Sequence, residues 1–406
     1  MKILLAVGRD PWPPRRGDQL RANQLLEALG EAHEVTVLAP FQQTAVGAAD
    51  GTDGGEQAPA SVRVERYRRT LAERGIGLLG AVLGGRPLQS GLYVARELDR
   101  RLGSLAREAD LVVVQLARLE RAVRRLRASA PRRPVIVDLV DALSLGVSSR
   151  ARVDLPVRRP LLRLEASRLR RLELELVRGC AAAMVVAARD REAIAGADEP
   201  ARRRLSVVPL ALDAAGAAAT RERAAGRIVL SGNLGYFVNR DAVLWTLREL
   251  WPALREARPG VELLVAGARP DAGLRRAVAH SGARLLADPS SLAEVLSRAA
   301  VSLAPLRCGS GTPVKILEAW AAGVPVVASP YAAAGTLAVA GRELLVAEGR
   351  EQWVAAILRL LDDRDSAARL VASGRALLER EHSRPRVREA LAAVVEAATG
   401  RGGDAS

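Results

Sequence analysis

The sequence predicts an α/β protein built as two doubly wound parallel-sheet domains. Short apolar runs alternate with helical patterns over nearly the whole chain, and the alternation begins afresh after a composition break at residues 212–226. The 406 residues fit two or three domains and are enough to bury substantial cores. Hydrophobic residues at 49% and charged residues at 26% exclude wholesale disorder. With aromatics at 3%, a platform that stacks successive bases has little material to work with. Cys180 and Cys308 lie far apart, with no second Cys or His at ligand spacing, so neither a disulfide framework nor a structural zinc site is expected.

In order, the first half offers strands at residues 2–7, 34–39, 61–66, 110–114, 134–138, 182–187 and 205–208. Helices intervene at 18–29 and 91–105, and 158–178 is a long helix with Leu161, Leu162, Leu164, Leu169, Leu172 and Leu176 on one broad face. Residues 44–60, rich in Gly and Ala, read as a mobile loop. The second half offers strands at 227–231, 261–266, 284–286, 301–304, 324–328 and 343–346. Helices are expected there at 240–256, 290–299 and 313–322, with three more after residue 351. This divides the chain into an N-terminal domain 1–212, a linker 213–226, a C-terminal domain 227–384, and a last helix from 385 that would cross back, followed by a tail to 406. Two such domains imply a cleft where ligands meet the carboxyl ends of the strands.

The opening MKILLAVG has no basic n-region and no cleavage site, so it reads as a strand rather than a signal peptide, and a cytoplasmic location is expected. The longest uncharged apolar run, 75–85, is too short to span a membrane and reads first as a buried helix or hinge, second as an interfacial contact. The balance 61 − 46 = +15 would attract phosphates or anionic lipid. Most of the excess lies in two windows, 118–134 with seven Arg and one Glu, and 150–178 with nine Arg and four acids. Both fall in the N-terminal domain. An apolar run framed by Arg there suits peripheral attachment to the inner face of an anionic membrane, and the plainer reading is a solvated Arg surface.

Only Lys2 and Lys315 break the monopoly of Arg among basic residues. Around Lys315 the sequence reads as strand, glycine loop and helix: a strand ends at Ala304, Gly309 and Gly311 follow, Thr312 is the expected N-cap, and Pro313 opens the helix. Glycines let a backbone approach a ligand, and free amides at a helix start bind anions. A cation in the first turn opposes the macrodipole unless an anionic ligand sits between, so Lys315 reads as a phosphate ligand. Glu318, one turn on, is placed to accept hydrogen bonds from vicinal hydroxyls, as the acid of a dinucleotide site does from a ribose. Asp18 reads as a second N-cap with Arg21 at N3. Asp138 and Asp141 end a strand where an α/β site is expected and are candidates to activate an acceptor hydroxyl or stabilise an oxocarbenium-like centre; Asp141 is equally a natural N-cap. Asn239 and Asp241 fit a helix start first and a site second.

The run SGTPVKILEAWAAGVPVVASPYAAAG resembles the nucleotide-sugar signature of glycosyltransferase family 4, in the branch of bacterial exopolysaccharide-type sugar transferases with the GT-B fold of two Rossmann-like domains. PWPPRRGDQLRANQLLEAL, GRPLQSGLYVARELDRRL, VIVDLVDALSL and SGNLGYFVNRDAVLW resemble further segments of that branch, in the same order, so that the likeness covers nearly the whole chain. The resemblance implies a metal-independent, retaining transfer of a sugar from a nucleoside diphosphate sugar to an acceptor hydroxyl. The acceptor would be a glycan, glycolipid or small metabolite, and no cofactor is needed. It implies that Lys315 and the backbone of Gly309, Ser310, Gly311 and Thr312 hold the diphosphate, that Glu318 binds the ribose, that Gly232 and Asn233 line the donor, and that Gly17 and Arg21 close from the other domain. The chain departs from the pattern where Ser310 replaces the first acid of the Glu-x7-Glu motif, Asn233 the usual Arg, and Val-Pro-Leu-Ala-Leu-Asp (208–213) the usual Val-Pro-Asn-Gly-Val-Asp. Those departures leave a non-catalytic GT-B relative as one rival; the +15 charge leaves an anion-binding surface protein as another, with nucleic acid not expected.

Overall fold

The computed structural model describes residues 1–14, 16–41, 59, 61–213, 224 and 226–400. Every strand expected from the sequence forms, most within two residues of its predicted ends. The first sheet contains β1 (Lys2–Ala6), β2 (Glu34–Pro40), β3 (Val62–Tyr67), β4 (Leu111–Gln115), β5 (Val135–Val140), β6 (Ala182–Val185) and β7 (Leu205–Val207). The second contains β8 (Arg227–Ser231), β9 (Glu262–Gly267), β10 (Arg284–Ala287), β11 (Val301–Ala304), β12 (Val326–Ala328) and β13 (Leu345–Val346).

The orders are β3-β2-β1-β4-β5-β6-β7 and β10-β9-β8-β11-β12-β13, parallel throughout. Both sheets therefore wind outward in two directions from their first strand. The central strands β1, β4 and β11 are buried apart from Lys2, and their residues are apolar except for Lys2, Gln115 and Ser302, as strands covered by helices on both faces require. In each sheet the topological switch lies between the first strand and its later neighbour, β1 with β4 and β8 with β11, and the ends of those strands are where such a fold offers a ligand site. Each sheet is therefore wound in the Rossmann-like manner.

The described chain divides into two compact units, one comprising Met1–Ser148, Pro156–Leu210 and Val387–Ser406, the other Ser149–Leu155 and Ala211–Arg386. The short segment Ser149–Leu155 thus counts with the second unit, where the sequence had suggested an unbroken first domain to residue 212.

Several helices differ from expectation. The run 91–105 is two helices, Leu88–Gly91 and Arg96–Leu105, because Gly91 is wedged against Gly77 and the chain extends before Ala95 caps the second. The run 240–256 opens into a π-type turn over Thr246–Leu250, just before Pro252, which lacks the amide a regular helix would use there. On the long helix Arg159–Gly179, Leu169, Leu172 and Leu176 are buried, but Leu161 and Leu164 face solvent. The apolar run 75–85 is not buried either: it forms most of the helix Leu71–Leu83, whose large side chains point outward. Residues 44–58 and most of the linker 213–226 lie outside the described residues.

Candidate functional site

The loop after β11 carries two glycines at positive φ. Gly309 and Gly311 adopt φ of +123° and +71°, a region that favours glycine. The Gly309 amide donates to Ser149 Oγ at 3.0 Å, and its carbonyl accepts from Tyr331 Oη at 2.6 Å. Arg307 grips Asp241 with two hydrogen bonds, 3.0 and 2.5 Å, fastening the loop to the helix Phe237–Trp245, and Ser329 Oγ donates to the Leu306 carbonyl at 2.5 Å. A glycine-rich loop is thereby held in one shape by side chains from three other segments.

The helix Val314–Ala321 follows, one residue later than expected: Pro313 occupies the cap position, Thr312 precedes it, and Lys315 is the second helical residue rather than the third. Pro313 has a helical φ of −67° but an extended ψ of 95°, so the regular helix begins only at Val314. The helix is anchored behind. Trp320 is fully buried, its Nε1 donates to the Glu343 carbonyl at 3.1 Å, and a Cβ added at Gly374 would lie 2.4 Å from its ring.

Lys315 is 6% exposed, and its Nζ has no hydrogen-bond partner among the described residues. Burial pushes the ammonium down to about 8, and only the carboxylate of Glu318 opposes that shift. Burial pushes the Glu318 carboxyl up in turn, against Lys315. An ammonium sequestered at the positive end of a helix without an acceptor is costly for a folded protein, and it fits an anion as the missing partner.

Gly232 and Asn233 sit at the end of β8, beside the loop. Gly232 has φ +139°, which favours glycine, and a Cβ there would press on the Asn239 side chain at 3.0 Å. Asn239 Nδ2 donates to the Asn233 carbonyl at 2.9 Å, and the Asn233 side chain accepts the Gly235 amide at 3.1 Å. Asn239 and Asp241 are thus bracing residues within the helix, not its caps. The same helix places Val238 against Gly309, so Gly232, Asn233 and the glycine loop meet around it.

The first unit corrects several expectations. Asp18 is not the cap of the helix Gly17–Gly30; Arg16 holds that position, and the Asp18 carboxylate takes Arg9 at 2.5 Å. Gly17 opens the helix, and a Cβ there would touch nothing. Arg21 does not face an open site. It is fully buried, donating through Nε to Asp138 at 3.2 Å and through Nη1 to the Pro209 carbonyl at 3.0 Å. Asp138 is likewise fully buried; it also accepts the Val140 amide at 3.2 Å, across the irregular register between β5 and β6. The two side chains are thereby engaged with each other, and neither is exposed. Asp141 stays partly exposed, but the helix Leu143–Val153 begins two residues beyond it.

The amide and hydroxyl of Ser144, in the first turn of that helix, donate to Glu173 at 3.1 and 2.5 Å. Burial pushes the Glu173 carboxyl up to about 7, opposed by Ser144 and reinforced by Asp141. An acid lodged between Leu169, Leu172 and Leu176 on an apolar stripe was the available signal for this residue. Ser149 and Tyr331 carried no such signal. Leu116 and Val140, at the ends of β4 and β5, hold φ of +82° and +67° without being glycine, strain of the kind that gathers at functional strand ends.

Among the described residues no group of three or more His, Cys, Asp and Glu side chains is placed to hold a metal ion. Residues 225–363 match the family model for glycosyl transferases group 1. No curated protein matches the chain. Among solved structures it is similar to HepE of Anabaena in complex with UDP, at 14% identity and a TM-score of 0.65, covering 98% of this chain and 100% of that one. It is similar to sucrose-phosphate synthase of Thermosynechococcus elongatus, at 17% identity and a TM-score of 0.68, covering 99% and 100%. It is also similar to a UDP-forming trehalose-phosphate synthase of Burkholderia xenovorans, at 15% and 0.68, covering 100% and 99%.

Proposed function

We propose that this GT-B chain, with its glycosyl transferases group 1 region at residues 225–363, is a retaining, metal-independent glycosyltransferase that moves a sugar from a nucleoside diphosphate sugar to an acceptor hydroxyl. The observation that carries the reading is Lys315: a buried ammonium with no hydrogen-bond partner among the described residues, one turn from Glu318 and directly behind two positive-φ glycines. The diphosphate would take Lys315 Nζ and amides of the loop at Gly309–Thr312, while Glu318 would accept the ribose hydroxyls.

Cleavage of the bond between sugar and phosphate places growing negative charge on the leaving diphosphate. A preorganised ammonium and fixed amides stabilise that charge without reorganising at the moment of reaction. Ser310 stands where a carboxylate is usual, so contact with the transferred sugar would come from a hydroxyl and backbone groups. Asp141 is the remaining acid of the first unit proposed to act at the acceptor. The acceptor is proposed to be a lipid-linked glycan or a small-molecule glycoside.

A panel of nucleoside diphosphate sugars, read by protection from melting and by release of nucleoside diphosphate with and without EDTA, tests this. Protection and turnover by one donor, unchanged by EDTA, is the expected result. Protection without turnover toward any acceptor would reassign the chain as a nucleotide-binding GT-B relative, and absence of protection would remove the donor site altogether.

A further inference from the structure

We propose that the outward face of the helix Leu71–Leu83, together with the first turns of the helix Arg159–Gly179, docks on an anionic lipid bilayer. The helix Leu71–Leu83 is built inside out. Its buried residues are Gly77 and Ala81, and a Cβ on Gly77 would lie 2.2 Å from the Gly91 carbonyl oxygen, so small residues hold it close to the short helix Leu88–Gly91. Its large side chains are the exposed ones: Leu71 at 75%, Ile76 at 58%, Leu79 at 61%, Val82 at 54% and Leu83 at 79%. With about 3.6 residues per turn these five fall within roughly 140° of the circumference, an arc that carries no charge. Side chains on that arc add nothing to the core, and soluble surfaces seldom gather so many apolar groups without a partner.

The second helix supplies the charge. Val157, Leu161 and Leu164 are exposed at its start, and residues 163–171 contain four arginines and one acid, Glu165. Glu165 is turned inward, accepting the amides of Leu88 and Gln89 at 2.9 and 3.1 Å. Arg168 donates to the carbonyl of Arg86 at 3.4 Å, and Arg170 to the carbonyl of Ala193; carbonyl partners leave both charges uncancelled. These bonds tie the corner after Leu83 to the second helix. Leu164 lies four residues from Arg168, on the same helical face, so the two apolar rows flank one fixed junction.

An apolar arc beside Arg163, Arg168, Arg170 and Arg171, with Glu165 turned away from them, is complementary to a surface that is greasy inside and negative outside, which is the chemistry of an anionic membrane interface. Among the described residues no helix is long and apolar enough to cross a membrane, so the contact would be peripheral. The inference stands apart from sugar transfer, since its test uses neither donor nor turnover.

The full chain is sedimented with vesicles of phosphatidylcholine alone and of phosphatidylcholine with phosphatidylglycerol, at low and high salt. Binding to the anionic vesicles alone, weakened by salt, is expected. Leu79→Ser with Leu83→Ser, and separately Arg163→Gln with Arg171→Gln, should each lower it by about tenfold or more, without changing the melting temperature. Arg276→Gln with Arg298→Gln, which removes two charges from the second unit, should leave it nearly unchanged. Equal loss in that control would reduce the effect to overall charge and overturn the proposal, as would absence of binding to anionic vesicles. A concentration-dependent dimer that the leucine variants abolish, without vesicle binding, would overturn it in favour of a second copy covering the face.

Discussion

Ser149 Oγ accepts the amide of Gly309 at 3.0 Å, joining residues 160 positions apart within the second unit. Gly309 has φ +123°, a conformation with no intrinsic preference to persist in a loop of three small residues. The hydroxyl of Ser149 and that of Tyr331, which donates to the Gly309 carbonyl, therefore set the loop's shape before any ligand arrives. Ser149→Ala should raise the KM for the donor several-fold and lower stability by about 1 kcal/mol, the usual scale of one hydrogen bond. Steady-state kinetics with a urea titration checks both.

Lys315→Met should weaken nucleoside diphosphate binding about ten- to a hundredfold, since a charge-assisted bond contributes about 1.5–3 kcal/mol. The melting temperature of the free protein should hold or rise, because the variant removes a buried ammonium with no hydrogen-bond partner among the described residues. Calorimetric titration beside a melting curve reads the two effects apart, and retention of full affinity would end the donor-site assignment.

The pH dependence follows from the direction of the Lys315 shift. Burial lowers the ammonium to about 8 in the free protein, so above that pH a growing fraction is neutral. A bound diphosphate favours the charged form, so affinity should be level below about pH 8 and fall above it, with proton uptake on binding in the alkaline range. Titration in buffers of different ionisation enthalpy detects the uptake, which Lys315→Met should abolish.

Arg21 and Asp138 form a fully buried pair, so removing one partner strands the other. Arg21→Met should cost about 3–5 kcal/mol, and adding Asp138→Leu should recover a large part of it. A double-mutant cycle in urea measures the coupling; a mild loss in Arg21→Met would show that the guanidinium is not structural.

Glu173 has its carboxyl raised from 4.5 to about 7 by burial. A raised acid stabilises the folded state fully below its unfolded value, and that contribution is lost as pH rises from about 4.5 through 7. Compared with Glu173→Gln, the wild-type protein should therefore be at its relative best near pH 4.5 and lose ground steadily to pH 8. Melting curves of both proteins across that range give the difference directly.

The sequence by itself determined the two sheets, because a strand buried on both faces must be written as a continuous apolar run and a helix between strands as a periodic one. It also marked the glycine loop proposed to hold the donor: two glycines ahead of a proline-capped helix, and one of only two Lys in an Arg-rich chain, are local chemistry that needs no distant partner to be recognised. Only the tertiary structure decided what the charged residues of the first unit do. Arg21 and Asp138 have the composition of a site, but they lie 117 residues apart, and whether such groups face a ligand or each other depends on which side chains the sheet brings together. The same holds for the apolar run at 75–85, since apolarity alone does not say which face turns inward; the close approach of Gly77 to Gly91 turned its leucines to the outside.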